Sequence, residues 1–173
     1  TISYEPGAVT GFRLGLMADF GLDTSEAEDL ELDDILHIDT DEKGGIIIDD
    51  CYNANPVSMK AGIDLLCMAD TKKIAILGDM FELGENEKEL HYGVGKHAAE
   101  KGIDLVVCIG GLSENTAKGA SYSNTEVRYF ETKAEFLARA EKFLKKGDTV
   151  LVKASHGMEF PEIVEKLKEL RLF

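Results

Sequence analysis

From residue 45 onward, short apolar runs alternate with stretches whose apolar positions recur at helical spacing. GIIID (45–49), KIAIL (73–77), DLVVCIG (104–110), TEVRYF (125–130) and DTVLVKA (148–154) read as buried strands. Helical spacing runs over about 56–69, 86–101, 113–120, 132–145 and 159–170. Strand and helix therefore alternate five times. This predicts an α/β fold: a Rossmann-like three-layer sandwich, with a mostly parallel sheet and helices on both faces. The punctuation agrees. Pro56 suits a first helical turn with Asn55 as its N-cap. Gly102 and Gly147 follow helical runs, as glycines just past a helix end do. In such a sheet ligands bind beyond the carboxyl ends of the strands. The candidate functional segments are thus the strand-to-helix turns at 49–58, 78–86, 110–114 and 153–160.

The first 44 residues follow a different pattern. Residues 8–20 read as an apolar helix closed by Gly21, whereas residues 23–42 hold ten carboxylates and no Lys or Arg. A block of like charge is usually a solvated linker or edge segment. We expect residues 1–44 to be a remnant of a preceding central domain plus an acidic linker, and residues 45–173 to form the domain proper. Thr1 is not a natural start, so we expect the chain to be a piece of something longer.

Composition narrows the partners. With 173 residues, 44% of them hydrophobic, the chain suits one domain and an added segment. The formal net charge is −14 and no Lys/Arg cluster stands out, which argues against nucleic acid as a partner. Cys51, Cys67 and Cys108 are odd in number and far apart, with no CxxC. Disulfides and a zinc site are disfavoured, and a reducing compartment fits. No apolar run is long enough to span a bilayer and no signal peptide is visible, so no membrane partner is expected.

Three motifs look functional but read as ordinary structure. DTDEKGGIIIDD (39–50) nearly matches a calcium loop, with Asp39, Asp41, Gly44, Ile46 and Asp50 at the corresponding places. Lys43 stands where a ligand belongs, Asp50 replaces the bidentate Glu, and the second half reads as a strand. GVGKHA (93–98) fits GxGxxA but lies inside a helical stretch, where its amides are already bonded. Gly95-Lys96-His97 lacks the first glycine and the hydroxyl residue of a P-loop, and no GxxxxGK[ST] occurs.

The turns at the strand ends carry more. In DDCYNANP (49–56), a carboxylate at a strand end suits a sugar hydroxyl pair, and the Asn side chains offer donor and acceptor together. An Asx-turn and N-cap explain Asn55 and part of Asp49, but leave Asp50, Tyr52 and Asn53 without a role. From composition the two readings stand level. In LGDMFELG (77–84), Asp79 and Glu82 suit an ammonium or simply cap a loop. In VLVKASHGM (150–158), Lys153 beside a helix start suits a carboxylate or phosphate, and His156 suits either a ligand or the surface. His91 reads as structural, and His37 and His97 show no partner in the sequence.

DDCYNANPVSM, LGDMFELG followed by His91, and VLVKASHGM occur in that order and at strand ends. Together they resemble the C-terminal domain of the Mur ligases of bacterial peptidoglycan synthesis. The likeness is to the branch that joins D-alanyl-D-alanine (D-Ala-D-Ala) to UDP-N-acetylmuramoyl-tripeptide (UDP-MurNAc-tripeptide). It covers about residues 45–173. It implies an ATP- and Mg²⁺-dependent ligase in which ATP phosphorylates a carboxylate and the dipeptide amine attacks the acyl phosphate. It also implies three domains, the last a lid over the site, a cytoplasmic location and a monomer. On this resemblance Asp50, Tyr52 and Asn53 bind ATP. Asn55, Asp79, Lys153, Ser155 and His156 bind the amino substrate. No residue of this chain is implied to be catalytic or to ligate metal, and Mg²⁺ is held mainly by the other domains.

Two departures qualify the resemblance. The Gly-Arg-x-Glu stretch expected ahead of the first strand is replaced by LELDDILHIDTDEKGG, which has no arginine, and the P-loop domain is absent. The chain alone is therefore expected to be inactive. The alternative is a stand-alone, non-catalytic module of the same fold that binds nucleotide or muropeptide.

Overall fold

The computed structural model describes residues 37–40 and 45–170. Its strands are β1 (His37–Thr40), β2 (Ile46–Asp50), β3 (Lys73–Gly78), β4 (Leu105–Ile109), β5 (Glu126–Phe130) and β6 (Thr149–Lys153). Its helices are α1 (Pro56–Leu66), α2 (Glu87–Glu100), α3 (Ser113–Ala120), α4 (Lys133–Leu137) and α5 (Pro161–Glu169). The six described strands form one sheet in the order β1-β2-β6-β3-β4-β5. β2, β6, β3, β4 and β5 run parallel, while β1 lies antiparallel on β2. All five strands expected from the sequence are present, and β1 adds an edge strand upstream of residue 45. The segment that nearly matched a calcium loop thus contributes the paired strands β1 and β2.

Alternate residues of each strand enter opposite layers, as period-two geometry requires. On one face Ile48, Ala75, Leu77, Val106, Cys108 and Leu151 meet α1, α2 and α3 through Met59, Ile63, Val94, Ala98 and Ala120. On the other face Ile47, Ile74, Ile76, Val107 and Val150 meet α4 and α5 through Phe136, Ile163 and Leu167. The result is the expected three-layer sandwich.

The helix starts have local causes. Asn55 Oδ1 accepts from Ser58 N–H at 2.8 Å, and Asn55 N–H donates to Ser58 Oγ at 3.0 Å, a reciprocal capping box with Pro56 just inside. Thr132 caps α4 through Glu135 N–H. GVGKHA lies in α2, as its periodicity requires. A Cβ on Gly95 would overlap the Thr116 carbonyl of α3, and one on Gly119 would overlap the Tyr92 carbonyl of α2. These glycines therefore serve helix-on-helix contact rather than a phosphate.

The stretch 132–145 departs from the expected single helix. α4 stops at Leu137, and a 3₁₀ turn follows at Ala140–Lys142. Phe136, Ala140 and Leu144 still reach the core, because hydrogen bonds between residues three apart carry the chain round at nearly helical pitch.

Candidate functional site

The strand order places the site. α1 and α2, which follow β2 and β3, cover one face, whereas α5, which follows β6, covers the other. β6 lies between β2 and β3, so connections leave toward opposite faces from neighbouring strand ends. Crevices open at such switch points. The turns 50–55, 79–86 and 153–158 meet there although the outer two are about 100 residues apart in the chain, as in the Asn53–Lys153 contact.

Asp50 and Lys153 are Cα partners in the β2–β6 ladder. The Lys153 ammonium donates to Asp50 Oδ2 at 2.7 Å and to the Asn53 carbonyl at 2.8 Å. The Lys153 side chain is 2% exposed and that of Asp50 19%. Burial pushes the Asp50 carboxyl above the ordinary carboxylate range, against the pull of the Lys153 ammonium. Tyr52 projects from the turn and is 75% exposed. Asn53 and Asn55 are also exposed. Asn53 Oδ1 accepts from Ala54 N–H, and Asn55 Oδ1 is taken by the cap.

The turn after β3 is tied down at four points. Asp79 Oδ1 accepts from both the N–H and the Oγ of Ser113, each at 2.7 Å. It is thereby a buried acceptor at the start of α3. A Cβ at residue 110 would collide with that carboxylate, so Gly110, with φ +115, leaves its room. Met80 N–H donates to Nε2 of the fully buried His91 at 2.9 Å, and His91 Nδ1–H donates to the Glu87 carbonyl at 2.6 Å. Phe81 N–H donates to Ser155 Oγ at 2.9 Å, and Ser155 N–H donates to the Asp79 carbonyl at 3.0 Å. Beyond these ties Glu82 adopts φ +61, an uncommon value for a residue with a side chain.

The residues expected at the site divide into two sets. Tyr52, Asn53, Asn55 and His156 are exposed. Asp79, Lys153 and Ser155 are buried and hold turns together, and Asp50 lies between the two sets. Sequence reasoning missed Ser113, Gly110 and Phe81. Ser113 opens a helix and Gly110 ends a strand, so both were visible as punctuation, but their common partner Asp79 was not. Phe81 is 42% exposed beside Gly157, an unusual place for a large apolar ring.

No nucleophile of the usual kind is poised here. Cys51 donates to the Val152 carbonyl at 3.4 Å, and burial pushes both the Cys51 and the Cys108 thiols far up. Among the described residues no three His, Cys, Asp or Glu side chains converge on one point. What the edge offers is a set of fixed hydrogen-bonding groups framed by two exposed aromatic rings, which suits binding and orientation.

The family model for the Mur ligase, glutamate ligase domain matches residues 37–156. The chain belongs to this Mur ligase family. The match begins at the first residue of β1 and ends in the turn after β6, so it contains all six described strands. A Bacillus subtilis UDP-N-acetylmuramoyl-tripeptide–D-alanyl-D-alanine ligase is 39% identical over 132 residues, covering 74% of this chain and 29% of the relative. The Escherichia coli ligase of the same name is 32% identical, covering 72% of this chain and 27% of the relative. This Mur ligase chain thus spans under a third of the length of the relatives it matches. Among solved structures, MurF from Acinetobacter baumannii superposes with a TM-score of 0.72 at 24% identity, over 90% of this chain and 35% of that one, and shares the fold. MurF ligase from Thermotoga maritima in complex with ADP gives a TM-score of 0.67 at 26% identity, over 90% of this chain and 36% of that one.

Proposed function

We propose that this chain is the C-terminal, substrate- and nucleotide-binding domain of an ATP-dependent ligase that adds D-Ala-D-Ala to UDP-MurNAc-tripeptide in peptidoglycan precursor synthesis. The observation that carries the reading is the meeting of the 50–55, 79–86 and 153–158 turns at one switch point, in a chain 39% identical to a ligase of that name. The ADP-bound Thermotoga relative supports a nucleotide as one ligand.

Asp50, Tyr52 and Asn53 take the ATP side. Asp50 Oδ2 is held by Lys153, which leaves Oδ1 to accept from a ribose hydroxyl. Tyr52 offers an exposed ring face for a base. Asn55, Asp79, Lys153, Ser155 and His156 take the side of the dipeptide and the acyl phosphate. Asn55 and His156 are exposed for contact, while Asp79, Lys153 and Ser155 act through the turns they hold. Mg²⁺ would neutralise phosphoryl charge and is held mainly by the preceding domains, as is the tripeptide. The domain's share of catalysis is to hold the amine in line and to exclude water. It works in the cytoplasm, where ATP and UDP-precursors are found, in a monomeric enzyme, and by itself it is inactive.

The test is kinetic, on the full-length ligase carrying Asp50→Ala. The ATP KM should rise by about tenfold or more, as loss of a hydrogen bond to a charged group predicts. Unchanged kinetics for ATP would remove Asp50 from the nucleotide site.

A further inference from the structure

We propose that Lys153 is a positioning residue for the nucleotide side of the site, acting through Asp50 and the main chain at Asn53 rather than by touching the amino substrate. The inference rests on the nucleotide reading given above. Its basis is geometric. The ammonium lies 2.7 Å from Asp50 Oδ2 and 2.8 Å from the Asn53 carbonyl, and its side chain is 2% exposed. Two of its three donors are therefore spent inside the fold, and the group has almost no surface to offer a ligand.

A buried ion pair costs desolvation of both charges, and a well-packed apolar pair often serves stability as well. Its presence at this strand end has another reason in the geometry. One cation bridges the carboxylate that ends β2 and the carbonyl three residues further on. That fixes the turn between them, from which Tyr52 projects. α1 seals the pair from below: a Cβ on Gly62 would lie 3.4 Å from Lys153 Cδ and 3.5 Å from Asp50 Oδ2. The helix thus packs against the pair on that side and keeps water from it there, which strengthens the ammonium's hold on the carboxylate. Lys153 therefore decides which carboxylate oxygen faces the ligand and where the Tyr52 ring stands.

The experiment is a double-mutant cycle in the full-length ligase, with Lys153→Met, Asp50→Asn and the two combined. Thermal melting first establishes that each variant is folded, and Lys153→Gln replaces Lys153→Met should the latter fail to fold. Lys153→Met should raise the ATP KM about tenfold and leave the dipeptide KM within about twofold of the parent, a split that a general loss of structure would not produce. In the Asp50→Asn background the same change should add less than about twofold, since the two act as a unit. A rise in the dipeptide KM with ATP unaffected would overturn the inference and make Lys153 a direct substrate contact. Additive effects of the two changes on the ATP KM would overturn it as well. Unchanged ATP KM in Asp50→Asn alone would overturn the nucleotide reading, and this inference with it.

Discussion

Lys153 and Asp50 also predict a dependence on pH. Burial raises the Asp50 carboxyl above its unfolded value, with the Lys153 ammonium opposing that rise. A raised carboxyl contributes stability that is fully present below its unfolded pKa and is lost as pH rises through the folded one. Lys153→Met removes the opposing charge, so the Asp50 pKa rises further. Removing one partner of a buried pair costs about 3–5 kcal/mol, most of it where Asp50 would have to carry its charge unpaired, toward the higher pH. As pH falls toward about 4, near the unfolded value, protonation of Asp50 relieves the unpaired charge and the deficit shrinks, by about 1.4 kcal/mol for each unit of added rise. Urea unfolding of parent and variant at the two pH values measures this, and a deficit independent of pH would mean that the pair is not electrostatically coupled. At this scale the sequence was half legible. Asp50 and Lys153 stood out as polar residues ending apolar strands. That they face one another depends on β6 pairing with β2, which no local pattern discloses. His97 shows the same limit: its partner Asp64, 2.8 Å away, lies on α1, across the helix pair.

The α2–α3 contact allows a prediction with two signs. Gly93 and Gly95 lie in the same helix, two residues apart. An added Cβ at Gly93 meets nothing within 4 Å, whereas at Gly95 it overlaps the α3 backbone. Gly93→Ala should therefore stabilise by up to about 1 kcal/mol, the helix-propensity difference. Gly95→Ala gains the same propensity but forces two backbones apart, and overpacking of about 1–3 kcal/mol or more outweighs it. Chemical denaturation of both variants decides; equal effects would show that the helices do not approach as closely as described. Periodicity correctly placed GVGKHA in a helix and so removed the dinucleotide reading. It had no means of separating a glycine in open space from one against a carbonyl. The stretch 132–145 teaches a related point. Its apolar spacing placed one helix over the whole stretch and did not disclose the break between α4 and the 3₁₀ turn, because both conformations bring Phe136, Ala140 and Leu144 to the core. β1 was missed for another reason: HIDT is short, polar and at the edge, so it lacks the apolar run by which buried strands announce themselves.

The described fold depends on β6. β6 is the sixth described strand in the chain, yet it lies between β2 and β3, which share no ladder of their own. It buries Val150, Leu151 and Val152 completely, placing Leu151 in one layer of the core and Val150 and Val152 in the other. It also brings Lys153 to Asp50 and Ser155 to Phe81. Without it β2 would lose its parallel neighbour and α5 its strand, and the turns at the switch point would separate. A chain covering residues 37–147 should accordingly fail to fold cooperatively, whereas one covering 37–170 should keep a sharp thermal transition and dispersed amide signals. Comparing the two by circular dichroism and amide NMR tests this directly. Cooperative unfolding of the shorter chain would mean that β2 and β3 close on one another, and the assembly of the site would then have to be sought in some contact other than β6. The expected result carries a consequence for a chain made from its N-terminus: the turn after β2 and the turn after β3 are joined only once β6 has been inserted between them.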